Sequence, residues 1–227
     1  MAQVIVGFLF VGLSESGIMS EVISKSATIQ FIASAVSYAL TLFIILGTFT
    51  AIRNSAKGLP QILGIVKRPT GMLFLYVLLG YGFYFLLSTL FLLIGQLIPG
   101  FDIEQQQELG FEQLGSQLEY IMAFLALVVL APIIEETIFR GFLFSRLREN
   151  LSFWWTTIIV SVVFGLVHMQ WNVGVDVFAL SLILCYLREK TGSIWAGVGV
   201  HMLKNLVAYV ILFLQPDIQN ALQKLLQ

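Results

Sequence analysis

The chain has 227 residues, 58% of them hydrophobic and 11% charged, with a mean hydropathy of +0.92. A soluble domain carries about 25% charged residues, so the composition excludes an ordinary soluble globule and indicates an integral membrane protein lying in a lipid bilayer. A net charge of −1 without a basic stripe excludes nucleic acid as a partner. The single cysteine, Cys185, excludes a disulfide framework and a cysteine-rich metal site.

A hydrocarbon core of about 30 Å asks for about 20 mostly apolar helical residues. In chain order, the run 4–13 is too short to span alone and either continues as a poor span or lies in the interface. It lacks a basic leader and does not read as a cleaved signal peptide. Residues 27–52, 71–98, 119–139, 152–168 and 193–214 meet or approach the required length, and 173–187 is a shorter apolar stretch between two of them. The expected fold is therefore all-α, a polytopic transmembrane bundle of about six to eight helices. It divides into N-terminal helices and linkers (1–118), a core (119–214) and a tail (215–227).

Arg53, Lys57, Lys67 and Arg68 fall in one linker without an acid, whereas Asp102, Glu104, Glu108 and Glu112 fall in the next without a base. The positive-inside rule makes the first linker cytoplasmic and the second not. Arg146, Arg148, Arg188 and Lys190 then return to the cytoplasmic side. Trp154, Trp155, Trp171 and Trp195 read as interfacial anchors, and the four acids as a solvated loop.

Against this background three polar constellations stand out. Glu135 and Glu136 follow a run, 120–134, that contains no charge, and an ionisable group at membrane depth costs at least about 2.5–3.5 kcal/mol. Glu136 and Arg140 are four apart on one helical face and can pair, while Glu135 is turned about 100° away. Pro132 removes a backbone donor just before them and is expected to bend the helix. The second constellation is Phe164 with His168, at the far end of its segment. The third is His201 with Asn205, again sharing a face, preceded by Ala196, Gly197 and Gly199, which allow a neighbouring helix close approach. Taken singly, a Glu–Arg pair reads as a structural clamp, a buried histidine as hydrogen-bonded, and an asparagine as helix glue. Lys204 reads as snorkelling or capping charge rather than acting in chemistry. Together, such expensive and scarce groups point to a site.

Glu-Glu-x-x-x-Arg, Phe-x-x-x-His and His-x-x-x-Asn, with the flanks 139–144 and 191–196, resemble the CPBP family of CAAX-processing and bacteriocin-processing intramembrane proteases, including the Rce1 type. The resemblance covers roughly 119–214. It implies a helical bundle whose polar residues line a cavity within the membrane, and an intramembrane endopeptidase activity. By the same resemblance Glu135 and His168 activate a water, His201 and Asn205 hold the oxyanion, and Glu136, Arg140 and Phe164 shape the site. The implied partner is a membrane-associated peptide or lipidated protein tail, and the implied location a bacterial plasma membrane or a plastid membrane. No cofactor is expected. A zinc-dependent version of the same protease, with Glu135, His168 and His201 as ligands, is one alternative. A non-catalytic scaffold or bacteriocin self-immunity factor that keeps the fold is the other.

Overall fold

The computed structural model describes residues 27–53, 58–66, 71–103, 105, 111 and 114–214. Among these all regular structure is helical, with seven helices and no strand. They are α1 (Ala27–Arg53), α2 (Leu59–Ile62), α3 (Leu73–Gly95), α4 (Gln117–Arg148), α5 (Phe153–Leu166), α6 (Trp171–Thr191) and α7 (Trp195–Leu214). All but α2 and α5 are long and apolar enough to cross a membrane. The run 4–13, the tail 215–227, Lys57, Lys67, Arg68, Glu104, Glu108 and Glu112 lie outside the described residues; Asp102 is exposed, as a solvated loop requires.

Helix α4 carries the design. It starts two residues earlier than the hydropathy suggests, because Ser116 caps it: the Glu119 amide donates to Ser116 Oγ while Glu119 Oε2 accepts from the Ser116 amide. It then runs unbroken past both acids to Arg148, roughly 48 Å at 1.5 Å per residue. Around Pro132 the helix widens. A π-helical stretch, Leu125–Leu130, precedes Ala131–Glu136, and a second, Thr137–Leu143, follows. Pro132 has no N–H to offer the preceding turn, and π turns inside helices are frequent at functional sites.

Two expectations about spans change places. The stretch expected at 152–168 forms α5, only 14 residues long, about 21 Å and too short for the hydrocarbon core. The stretch expected to be short forms α6, which extends at both ends to 21 residues. Its polar ends, Asn172 and Asp176 at one and Arg188, Glu189 and Lys190 at the other, dilute its hydropathy. Half of its apolar window is buried in the protein; Asn172 is buried and Asp176 pairs with Lys204, whereas Glu189 and Lys190 are exposed at the other end. The α5–α6 turn is where Met169 takes a positive φ of 60°.

Helix α6 packs along α5 and α3, and α7 packs on α3, α4 and α6. The shared core includes Phe139, Phe164, Leu180, Leu184 and Val200. By contrast α1 and α3 keep most of their surface outside the protein, with Phe43 and Phe74 both more than 70% exposed. These are the faces that a bilayer would cover. At one end the Arg148 guanidinium pairs with Glu189, and Arg188 donates to the Ile62 and Arg140 carbonyls. Thus α2, the end of α4 and the end of α6 sit together, as the shared side inferred from Arg146, Arg148, Arg188 and Lys190 requires. Trp154, Trp155 and Trp171 are exposed. Trp195 departs from the anchor pattern: its indole N–H donates to the Ile65 carbonyl at 2.9 Å.

Gly165 and Gly174 allow α5 and α6 to touch backbone to backbone. A Cβ at Gly165 would lie 2.9 Å from the Gly174 carbonyl oxygen, whereas one at Gly174 would lie 3.2 Å from the Gly165 oxygen. Gly165→Ala is expected to destabilise the fold by about 1–3 kcal/mol, and Gly174→Ala by less. Thermal unfolding in detergent checks both the effect and the order.

Candidate active site

The α turn between the two π stretches presents Glu135 and Glu136 in different directions, and both are buried, 5% and 0% exposed. Glu136 Oε1 accepts from Arg140 Nη1 at 2.9 Å, an i,i+4 pair with neither side chain exposed. The same oxygen lies 3.2 Å from His201 Nδ1. A carboxylate only accepts, so His201 carries its proton on Nδ1 there. Its other nitrogen, Nε2, faces Glu135 Oε2 at 4.0 Å. One histidine on α7 therefore bridges both acids of α4. Close packing makes this reach feasible: a Cβ at Gly197 would lie 2.9 Å from Glu136 Oε2.

Phe164 ties in the remaining motif. Its ring is fully buried and stacks edge-on against Phe139, His168 and His201, with centroids 4.8, 5.1 and 5.9 Å away. The Arg140 guanidinium lies over it at 4.4 Å, a cation–π contact of the desolvated kind. The Phe164 carbonyl accepts from His168 Nδ1 at 2.7 Å. A carbonyl cannot donate, so Nδ1 bears the proton, and the neutral ring keeps a lone pair on Nε2. Arg140, His168 and His201 are thus gathered around the Phe164 ring, and His201 in turn approaches Glu135 and Glu136.

Asn205 is placed differently. It follows His201 by one turn of α7, and its side-chain amide donates to the Leu127 carbonyl at 2.8 Å, in the first π stretch of α4. One N–H is engaged there, and the amide has a second. Lys204 does not snorkel to the surface. Its ammonium lies 3.5 Å from Asp176 of α6, whose other oxygen accepts from Tyr84 and Ser88 of α3. Asp176 and Tyr84 escaped the sequence reading because no short spacing links them.

The sequence also missed Tyr38. Its hydroxyl donates to Glu135 Oε1 at 2.8 Å from α1, 97 residues away in the chain. Cys185 is a buried free thiol in the core.

The fit of a metal follows from the donors. Two ligands of a tetrahedral zinc at about 2.1 Å stand roughly 3.4 Å apart, whereas Glu135 Oε2 and His201 Nε2 are 4.0 Å apart. Among the described residues no group of three His, Cys, Asp or Glu side chains is gathered to hold a metal ion. As arranged, Glu135 Oε2 and His201 Nε2 stand wider apart than two ligands of one tetrahedral zinc.

Comparison with known proteins addresses the segment that builds most of this site. Residues 117–207 match the family model described as Type II CAAX prenyl endopeptidase Rce1-like. This segment is similar to the Rce1-like family. A Bacillus subtilis (strain 168) protein, "Putative membrane peptidase YdiL", is 32% identical over 96 residues, covering 42% of this chain and 38% of its own. "Uncharacterized protein YyaK" of the same organism is 30% identical over 185 residues, 75% of this chain and 58% of its own. An "Uncharacterized 24.3 kDa protein" of Escherichia coli is 29% identical over 89 residues, 37% of this chain and 41% of its own. The chain thus spans between 38% and 58% of the length of these relatives. No solved structure matches. Within the Rce1-like segment lie all three polar motifs; Tyr38, Tyr84 and Ser88 lie outside it.

Arg140→Ala leaves Glu136 as an uncompensated buried charge and is expected to destabilise by about 3–5 kcal/mol. The apolar replacement Glu136→Leu with Arg140→Met should recover part of that loss. Thermal unfolding of wild type, the single and the double variant in one detergent measures the difference.

Proposed function

We propose that the protein is a membrane-embedded endopeptidase of the CAAX type, hydrolysing a peptide bond in a membrane-associated peptide or lipidated protein tail without a metal. The observation that carries this reading is the buried approach of His201 to both Glu135 and Glu136, 4.0 and 3.2 Å, within a segment similar to the Rce1-like family. A scaffold is served by the Glu136–Arg140 pair alone and gains nothing from a second acid, Glu135, buried 4.0 Å from the same imidazole.

In this reading Glu135 is the general base and His168, through the lone pair on Nε2, orients the same water. A water O–H proton passes to the Glu135 carboxylate as the water oxygen adds to the scissile carbonyl carbon, whose oxygen becomes an oxyanion. The C–N bond then breaks as the Glu135 proton moves to the departing nitrogen, giving an amine and a new carboxyl terminus. Asn205 offers the N–H not engaged by Leu127 to the oxyanion. His201 offers Nε2–H when it is the imidazolium, since its Nδ1–H is held by Glu136. Glu136 and Arg140 keep that imidazole in register. Substrates reach the site at the membrane end carrying Arg146 and Arg148, the side assigned as cytoplasmic.

The test is cleavage of membrane-tethered peptides, with and without a farnesylated CAAX box, by protein reconstituted in liposomes. Glu135→Gln and His168→Ala are each expected to lower turnover by roughly 10²–10⁴-fold, the range for losing a general base, with unfolding temperatures unchanged. Wild-type activity is expected to survive zinc chelation. Undiminished cleavage by folded Glu135→Gln would refute the base, and reversible loss on chelation would refute the metal-free route.

A further inference from the structure

One oxygen of Glu135 is held from outside the Rce1-like segment. Tyr38 of α1 donates its hydroxyl to Oε1 at 2.8 Å, and both side chains are buried, 6% and 5% exposed. The contact belongs to a built surface. Ser34, Ser37 and Tyr38 form the buried face of α1, and Tyr38 packs with Ala131 and Ile134 of α4. Oε2 of the same carboxyl is the oxygen that faces His201 Nε2. The two oxygens therefore have different surroundings, one against α1 and one toward the gathered motifs.

We propose that Tyr38 is a positioning residue for hydrolysis: by engaging Oε1 it fixes the rotation of the Glu135 carboxyl so that Oε2 takes the proton from water. This rests on Glu135 being the general base. Without the phenol, Oε1 loses the donor that sets the rotation of the carboxyl about its last bond, and with it the direction this contact gives Oε2. General-base transfer needs a heavy-atom distance of about 2.6–3.2 Å to the water, which a carboxyl rotated from that direction does not hold. The phenol contributes this restraint as a neutral group, so it adds no charge to the buried set. It follows that the catalytic unit is larger than the three motifs and includes α1.

Wild type, Tyr38→Phe, Glu135→Gln, their combination and Tyr209→Phe, whose hydroxyl instead caps the Tyr120 carbonyl, provide the test. The first readout needs no substrate: the infrared band of the Glu135 carboxyl, assigned as the one absent in Glu135→Gln. It is expected to move in Tyr38→Phe and to stay in Tyr209→Phe; an unmoved band in Tyr38→Phe overturns the proposal. The second is turnover of an internally quenched farnesylated CAAX peptide in liposomes. Tyr38→Phe is expected to lower kcat roughly tenfold, as loss of one hydrogen bond to a charged group allows, with KM unchanged. In the Glu135→Gln background the same change is expected to have no further effect. A loss that multiplies there marks packing alone and overturns the proposal. If folded Glu135→Gln cleaves normally, the base assignment fails instead, which is a separate result. Should Tyr38→Phe not fold, 3,5-difluorotyrosine at position 38 keeps the shape and strengthens the donor; an unmoved Glu135 band in that protein overturns the proposal equally.

Discussion

The arrangement depends on one fully buried ion pair. Glu136 and Arg140 have no exposure at all, and each fixes something else. Glu136 accepts from His201 and so sets the tautomer and orientation of the α7 imidazole. Arg140 has only Nη1 in a hydrogen bond among the described residues; Nε and Nη2 find none. Its planar face lies instead on Phe164, and its backbone carbonyl accepts from Arg188. A lysine would supply charge but neither the fork nor the stacking plane. Removing two ions from water is repaid only when geometry and additional contacts are good, and those contacts are the ones that join α4 to α5, α6 and α7.

Helix geometry then separates the two acids. In an uninterrupted α-helix adjacent residues diverge by about 100°, which turns Glu135 away from the Arg140 side. The π stretches on either side of the short α segment change the winding where α1 and α7 approach. They also bring the Leu127 carbonyl to Asn205. The widened helix is thus the common frame: it receives Tyr38 from one side, His201 from another and Asn205 two turns away.

Local spacing was the legible part. Glu136 with Arg140, Phe164 with His168, and His201 below the small residues Gly197 and Gly199 each lie within one or two turns of a single helix, where 3.6 periodicity makes faces readable. The membrane class and helical bundle followed from hydropathy for the same reason. Contacts that join distant segments were not readable. Tyr38 is one tyrosine in a long apolar helix, and nothing within α1 reveals that it meets an acid in α4. Asp176 hid in the same way, its partners Tyr84, Ser88 and Lys204 belonging to two other helices. The lengths of α5 and α6 were misjudged because hydropathy assumes lipid as the surroundings, and much of α6 is surrounded by protein.

Why adjacent carboxylates should divide the labour follows from their partners. Protonating Glu136 would strip Arg140 of its counter-charge in a place water does not reach, the situation that makes broken buried pairs so costly. Protonating Glu135 leaves that pair intact. Tyr38 can continue to donate to Oε1 while Oε2 holds the proton, since a carboxylic acid retains acceptor capacity. Under the proposed function it is therefore Glu135 that exchanges a proton with water, while the ion pair keeps Glu136 fixed against His201.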